Sequence, residues 1–245
     1  MRDASVFTEQ FSTRSKVLQT MAQLEDVVER FADKSSYREN AEKFLNLNRW
    51  TGDDPVLLLA DAAGTTTGQN YFDQVKPSVE KFRDRFLKTG RVNSFESLSQ
   101  FDEENEELKN IFEARRKRHV LLKGADLFTE VDRTDDLVRL QEWANNADPH
   151  NYSQDPFGSI RGVGLRTFQY LRMIAGVDTV KPDIQVKRFV EAVSEATDDP
   201  SLDASSDQRV LESCGRISSQ TGYRMIELDQ IAWWEFSNAD ERHVK

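Results

Sequence analysis

Apolar residues recur at helical spacing along most of the chain, and this periodicity constrains the fold more than any other feature of the sequence. One series near the N-terminus consists of Val17, Leu18, Met21, Leu24, Val27, Val28 and Phe31. Such spacing places an apolar stripe on one face of a helix. No run alternates apolar and polar residues over the length of a strand, and clusters of β-branched residues are sparse. The sequence therefore predicts an all-α protein.

Helix-start and helix-stop signals divide this pattern into segments. Asp53-Asp54-Pro55 predicts a helix start, because an acidic N-cap followed by proline suits a first helical turn. Residues 71–87 are predicted to be helical, with a kink or restart at Pro77, and residues 105–122 to form one long helix. Residues 149–158 are rich in turn formers and are predicted to be a loop.

The composition of the chain indicates a soluble globular protein. Its 245 residues, 38% of them hydrophobic and 31% charged, are enough for one or two domains. No apolar run approaches a membrane span, and the N-terminus lacks the basic-then-apolar pattern of a signal peptide. We therefore expect an intracellular protein, in the cytoplasm or nucleoid, with no membrane partner. The single cysteine, Cys214, excludes an internal disulfide framework, a zinc site of several cysteines and a four-cysteine iron–sulfur cluster.

The net charge of −10 weighs against a nucleic-acid partner, because such proteins usually carry a basic face. The positive charge is nevertheless uneven, and its local distribution decides binding. One basic cluster is Arg115 to His119, which could contact phosphates or form a solvated helix face. A second cluster surrounds a glycine-rich turn and consists of Arg161, Arg166, Arg172, Lys181, Lys187 and Arg188.

This glycine-rich turn, Ile160-Arg161-Gly162-Val163-Gly164, precedes an amphipathic helix at 166–175, and Asp183 follows nineteen residues after the last glycine. Such a turn exposes backbone N–H groups that can bind a phosphate, although it also fits a plain connection between helices. Asp183 precedes apolar residues at helical spacing and is predicted to be an N-cap. Because a helix N-terminus favours the ionised carboxylate, Asp183 could stabilise the positive charge that develops on a sugar during glycosidic cleavage.

The segment Ile160 to Thr167 resembles the hairpin of the helix-hairpin-helix DNA glycosylases, the superfamily of endonuclease III and of the adenine, 8-oxoguanine and 3-methyladenine glycosylases. The hairpin of that family commonly reads Leu-Pro-Gly-Val-Gly. It is followed, after one helix, by an aspartate at a helix start, which Lys181 to Arg188 resembles. Weaker likenesses to the family lie in Leu58 to Gln69, Glu107 to Phe128 and Leu228 to Trp233, so that the resemblance covers residues 50 to 236.

The resemblance implies an all-α fold of two subdomains with a cleft between them. Residues 50–179 would form a helical barrel that carries the helix-hairpin-helix at 155–176. Residues 1–49 together with 180–245 would form the other subdomain. Asp183 would face the cleft, stabilise the sugar cation and help to activate water. The partner would be double-stranded DNA, bound by a monomer that requires no cofactor.

The other site residues follow from the resemblance and from position. The residues expected to bind DNA at the hairpin are Gly162, Val163, Gly164, Arg166, Thr167 and Lys187. From position alone, the candidates for the wedge that opens the duplex are Gln69, Asn70 and Tyr71. The aromatic candidates for the pocket of a flipped base are Trp50, Tyr71, Trp143, Tyr152, Phe157 and Tyr170, although aromatics at helical spacing are more often core. Backbone carbonyls of Gly158, Ile160 and Val163 would hold a monovalent cation, Na⁺ or K⁺.

Three departures from the family pattern limit what the resemblance implies. Arg161 replaces the usual proline of the hairpin. Arg166 stands where bifunctional members carry a Schiff-base lysine, and arginine cannot serve as that nucleophile. The cysteine cluster of the endonuclease III branch is absent. The expected activity is therefore monofunctional: hydrolysis of the N-glycosidic bond of a damaged or mismatched base.

Two alternatives to this activity stay open. The first is a non-catalytic DNA-binding protein that keeps the fold, which the acidic net charge favours and Asp183 opposes. The second is an interaction protein that does not bind DNA, which would follow if the basic residues did not converge on one face.

Overall fold

The computed structural model describes residues 23–32, 36–130 and 135–237. Throughout these ranges the regular secondary structure is helical and no strand occurs, which confirms the all-α class. No helix among the described residues is long and apolar enough to cross a membrane. The helix predicted from the apolar series at Val17 is described from residue 23 onward. Residues 23–32 are helical and are called α1, and the earlier members of that series lie outside the described residues.

Eleven further α-helices follow within the described ranges: α2 (Tyr37–Leu45), α3 (Pro55–Gly64), α4 (Lys76–Phe82), α5 (Phe95–Ser99), α6 (Glu106–Ile111), α7 (Arg115–Thr129), α8 (Asp136–Asn146), α9 (Leu165–Ile174), α10 (Ile184–Thr197), α11 (Asp207–Thr221) and α12 (Met225–Phe236). Short 3-10 helices lie at Thr65–Thr67 and Pro149–Gln154, and π-helical turns at Tyr71–Val75 and Arg83–Leu87.

The start predicted at Asp53-Asp54-Pro55 is confirmed. Asp54 is the N-cap of α3 and accepts hydrogen bonds from the N–H groups of Val56 and Leu57, each at 3.0 Å. The predicted loop 149–158 is wrong in its first half, because Pro149–Gln154 forms a 3-10 helix. Its N-cap, Asp148, accepts from the N–H of His150 at 2.9 Å. Short-range caps of this kind set the phase of a helix from its first residue.

The single helix predicted for residues 105–122 is wrong, because the chain breaks after Ile111 and restarts at Arg115. The guanidinium of Arg118 donates to the carbonyls of Phe112 and Glu113 at 2.6 and 2.7 Å. A buried cation from the next helix thus satisfies carbonyls that a continuous helix would have satisfied internally. Residues 71–87 are helical as predicted. Helix α4, which contains Pro77, lies between the two π-helical turns.

The buried apolar side chains form two clusters. The first holds the buried apolar residues of α3 to α9 and contains an aromatic centre of Phe82, Phe86, Phe95, Phe128, Phe157 and Phe168. The second joins α1 and the start of α2 to the inner faces of α10, α11 and α12. Each fully buried large apolar side chain in these clusters contributes about 1.5–3 kcal/mol to the free energy of folding. The two-subdomain division and the glycosylase fold stay predictions.

The chain passes from the first cluster to the second between Ala175 and Val180, which are members of the respective clusters. The ring of Phe72, in the first π-helical turn, lies 6.0 Å from that of Trp233 on α12. The segment 175–183, at whose end Asp183 lies, therefore runs along the junction of the two clusters.

Candidate functional site

The hairpin at residues 160–164 is a tight turn in which the N–H of Val163 donates to the carbonyl of Ile160 at 2.9 Å. Gly162 has a φ of +108°, which L side chains rarely adopt, and a Cβ there would lie 2.7 Å from Cγ of Arg116. Gly164 differs, because its φ of −112° suits any residue and a Cβ would meet nothing within 4 Å. The turn therefore requires glycine at 162, whereas Gly164 leaves open space in front of α9.

The N-terminus of α9 carries no side-chain cap. Side chains cap α3, α8, α10 and α11 instead. The N–H groups of the first turn of α9 thus have no side-chain acceptor, and the helix dipole adds partial positive charge at this end. α7 begins beside the hairpin and also lacks a side-chain cap. This corner of the molecule therefore presents backbone donors suited to an anion.

Two arginines flank these donors. Arg116 and Arg161 are exposed, and neither forms an ion pair with any residue in the described ranges. The aliphatic part of Arg116 lies against Gly162, and its guanidinium donates to the carbonyl of Thr66 at 3.4 Å. The guanidinium of Arg116 therefore lies where three segments meet: the hairpin, the start of α7 and the turn at Thr65–Thr67.

Arg166 and Lys187, both expected to bind DNA, lie on the same face, because both bind Asp207. Arg166 donates to the two carboxylate oxygens at 2.9 and 3.0 Å, and Nζ of Lys187 lies 2.8 Å from Oδ1. Burial alone would raise the pKa of Asp207, but the hydrogen bonds from these two cations hold it below its usual range. The single negative charge of Asp207 therefore offsets one of the two positive charges of Arg166 and Lys187 within the chain.

Most residues of the basic cluster Arg115 to His119 are buried or paired within the chain. The cluster as a whole is therefore neither a phosphate-binding group nor a solvated helix face. Lys117 and Arg118 are buried, and burial lowers the pKa of Lys117. The first and last members pair with the carboxylate of Glu103 at 2.7 and 2.6 Å. Of the five, Arg116 is the one that presents an exposed charge without an ion-pair partner among the described residues.

The wedge candidates have different surroundings. Gln69 is exposed and accepts a hydrogen bond from the ammonium of Lys117. The side chain of Asn70 caps the following π-helical turn by accepting from the N–H groups of Phe72 and Asp73, at 2.9 and 3.1 Å. A wedge role for Gln69 stays a prediction, whereas Asn70 could enter a duplex only by giving up its cap.

Asp183 is the N-cap of α10, as predicted. Its Oδ1 accepts from the N–H groups of Gln185 at 3.0 Å and of Val186 at 3.4 Å. Its Oδ2 lies 3.8 Å from Nζ of Lys181, and the side chain keeps 25% of its surface exposed. One carboxylate oxygen is thus held by the helix, while the other lies within ion-pair distance of Lys181 on a side chain that is partly exposed.

A network of buried polar groups lies beside Asp183. The ammonium of Lys181 is 4.7 Å from the ring centre of Tyr170. The hydroxyls of Tyr170 and Tyr71 donate to Oδ2 of Asp61 at 2.9 and 3.0 Å, and Arg49 pairs with the same oxygen at 3.1 Å. Burial raises the pKa of Tyr71 to about 12, so both hydroxyls keep their protons.

Trp50 completes this network, because its indole N–H donates to the hydroxyl of Tyr71 at 3.0 Å. Three of the aromatic pocket candidates therefore come together, at the junction of the two clusters and close to Asp183. Sequence reasoning missed Arg49 and Asp61. The one available signal was the acidic residue inside the apolar run 56–63, because a buried carboxylate must find a partner.

The other aromatic candidates, Trp143, Tyr152 and Phe157, pack against aromatic side chains of the first cluster, and their role as pocket residues stays a prediction. The ring of Trp143 lies 5.1 Å from that of Phe157 and 5.4 Å from that of Phe168, and its N–H donates to Asp155 at 3.1 Å. Tyr152 packs against Phe168 at 5.9 Å. Thr167 is 5% exposed, and its expected contact with DNA stays a prediction.

The carbonyls suggested for a monovalent cation belong to a tightly packed segment. A Cβ on Gly158 would lie 1.7 Å from the carbonyl oxygen of Tyr152, so that only glycine fits. The carbonyl of Ile160 already accepts the N–H of Val163. The cation stays a prediction. Separately, the described residues contain no group of three or more His, Cys, Asp or Glu side chains that could hold a metal ion.

Comparison with known families places the chain. Residues 11–237 match a family described as a domain of unknown function, DUF8548. The chain belongs to this family. No curated protein and no solved structure matches it. The DUF8548 description assigns no activity. A function for the protein is therefore inferred from the geometry of the hairpin and of Asp183.

Proposed function

We propose that this protein binds duplex DNA through the hairpin and hydrolyses the N-glycosidic bond of a flipped damaged or mismatched base. One observation carries the proposal. The N-terminus of α9, which follows Gly164 and the open space around it, has no side-chain cap, and the N-cap of the next helix, α10, is the partly exposed Asp183. The resemblance to the helix-hairpin-helix DNA glycosylases joins these features into one site.

Duplex contact would be made by the backbone rather than by a broad basic face. Open space in front of Gly164 lets a phosphate approach the first-turn amides of α9. Arg116 and Arg161 supply positive charge on either side of the hairpin. The predicted Na⁺ or K⁺ at the hairpin carbonyls would add further positive charge when bound.

Chemistry would centre on Asp183. As the bond between C1′ of the sugar and the base breaks, the sugar gains positive charge that the ionised carboxylate stabilises. Water then adds its oxygen to C1′, Asp183 assists removal of a water proton, and the base leaves protonated. The products are a free base and an abasic site. Trp50, Tyr71 and Tyr170 would line the side of the site from which the base is read.

A second candidate function is DNA binding without catalysis. The pairing of Arg166 and Lys187 with Asp207 favours it, because the hairpin face then carries less positive charge than its sequence suggests. The net charge of −10 acts in the same direction. Binding would in that case be weak and strongly dependent on salt.

The test is base release from a panel of duplexes, each with a single lesion or mismatch, at several salt concentrations. Heat or alkali reveals abasic sites. Asp183→Asn is the matched variant, because the amide oxygen can still cap α10 while the charge is lost. Release by wild type and not by Asp183→Asn supports the enzyme. Binding without release by either protein supports the second candidate, and release by both excludes Asp183 as the catalytic group.

A further inference from the structure

The segment that carries Asp183 is fixed by the last helix of the described chain. Oδ1 of Asp229, on α12, accepts the N–H of Lys181 at 2.9 Å. The carbonyl of the same Lys181 accepts the N–H of Asp183 at 2.7 Å. A single residue, Lys181, thus links the carboxyl group of Asp229 to the backbone of Asp183 through its N–H and its carbonyl, and Asp183 continues the chain of hydrogen bonds into α10 at Gln185.

Asp229 is unusual for a residue that only joins two segments. It is buried, 7% exposed, and makes no ion pair within 4.0 Å among the described residues. Its other oxygen accepts from the side-chain amide of Gln230 at 3.0 Å. A buried carboxyl group without a close cation is costly to keep, and an apolar or amide side chain would serve a purely structural joint at lower cost.

We propose that Asp229 is a positioning residue for Asp183: it sets the orientation of the Asp183 carboxylate through the backbone of Lys181 and adds a second negative charge behind it. The effect of this on base release rests on the proposed function. The coupling between the two carboxyl groups does not, because it is a property of the free protein.

The charge of Asp229 depends on pH in the neutral range. Burial, followed by the negative charge of Asp183, raises the pKa of Asp229 to about 7. The titratable groups that face it are Lys181 and Asp183 from the connecting segment and Cys214 from α11. Burial and Asp229 itself raise the pKa of Cys214, so that this group stays a neutral thiol. Asp229 is therefore mostly neutral at pH 6 and mostly ionised at pH 8.5.

An ionised Asp229 strengthens the negative potential at Asp183, where the sugar cation would form. We expect wild-type base release to rise by about tenfold between pH 6 and pH 8.5, as Asp229 ionises. Asp229→Asn keeps an oxygen for the Lys181 N–H but cannot ionise, so the rise should disappear. Asp229→Leu also removes the hydrogen bond, and release should fall at every pH.

The matched control is Asp178→Asn. Asp178 also ties this segment to α12, since it accepts the N–H of Ile226 at 2.9 Å, but it is exposed and does not hold the Lys181 peptide. This variant should keep the rise in rate near pH 7. The inference is overturned if Asp229→Asn keeps the rise, or if Asp229→Leu releases base like the wild type.

A measurement without DNA separates this inference from the proposed function. The carboxyl ¹³C resonance of Asp229, assigned with Asp229→Asn, should titrate near pH 7 in the wild type and at a lower pH in Asp183→Asn, where the neighbouring negative charge is absent. Equal midpoints in the two proteins refute the coupling, whatever the enzyme does. A lowered midpoint in a protein that releases no base from any duplex supports the coupling while the glycosylase proposal fails.

Discussion

Gly164 offers a substitution that should make the protein more stable while weakening the proposed binding to DNA. Its backbone angles, φ −112° and ψ 173°, are those of an ordinary N-cap residue, and its missing Cβ would point into open space. Nothing in the fold therefore requires glycine there. Aspartate is among the preferred N-cap residues and would accept hydrogen bonds from the first-turn amides of α9.

The gain in stability can be estimated from capping and from the helix dipole. Exchanging a glycine N-cap for aspartate contributes a few tenths of a kcal/mol, and the negative charge adds about 0.3 kcal/mol at an exposed helix end. A total of about 0.5 kcal/mol raises Tm by about 1–2 °C for a chain of this length. The sign of the change matters more than its size, because a variant that is more stable cannot lose binding through unfolding.

Binding should change in the opposite direction. The new carboxylate would occupy the amides proposed for the phosphate and would repel it. We expect Gly164→Asp to bind a labelled duplex at least about tenfold more weakly, with the slope of log affinity against log salt reduced by about one. Fluorescence anisotropy across a KCl series measures both quantities, and differential scanning calorimetry measures Tm.

Two control variants separate the causes. Gly164→Asn caps the same amides without a charge and should lose less affinity than the aspartate. Gly164→Ala supplies neither cap nor charge and should bind most like the wild type. If Gly164→Asp raises Tm and still binds DNA with the affinity and salt slope of the wild type, the α9 amides do not contact phosphate, and the duplex interface has been placed on the wrong surface.

Four other predictions follow from the same geometry. Gly162→Ala should cost about 1–3 kcal/mol, because φ is +108° and the added Cβ meets Arg116; a drop in Tm of less than about 2 °C would contradict this. Asp207→Asn should tighten duplex binding several-fold by releasing its two cations, and unchanged affinity would show that they do not face DNA. Asp61→Ala should destabilise the fold by about 3–5 kcal/mol in urea titrations, because it leaves a buried guanidinium unpaired; Asp61→Asn should cost less. The pKa of Asp229 is raised to about 7 in the folded protein, whereas the same carboxyl group has a pKa near 4 in the unfolded chain. The free energy of unfolding should therefore fall by about a few kcal/mol as the pH rises from about 4 to 7, and this fall should be absent in Asp229→Asn.

Sequence reasoning worked best where structure is decided locally. The helix starts at Asp54 and Asp183 depend on a side chain and on N–H groups two or three residues later, so short-range chemistry identifies them. The Gly162 turn is local in the same sense. The all-α class follows from apolar periodicity, which any window of the sequence displays.

The sequence does not predict features that depend on contacts between residues far apart in the chain. The break before Arg115 requires the buried guanidinium of Arg118, which a periodic pattern presents only as one more charge on a helix. Tyr170 and Asp61 are separated by 109 residues, and only the folded chain brings the hydroxyl and the carboxylate together. The pairing of Arg166 with Asp207 has the same origin. Each is an electrostatic contact between groups whose sequence spacing carries no information about their distance.

The contact between α12 and the Asp183 segment also has a consequence for synthesis on the ribosome. Helices α3 to α9 bury their apolar faces against one another and can begin to pack as they emerge. The segment that holds Asp183 receives its supporting carboxyl group from α12, which emerges last of the described helices. Helix α1 packs against both α10 and α12, since the ring of Phe31 lies 5.8 Å from the ring of Phe189 and 5.8 Å from that of Phe236. A nascent chain would therefore pack α3 to α9 well before the segment of Asp183 was held in place, so that the position of Asp183 is fixed only after α12 has been synthesised.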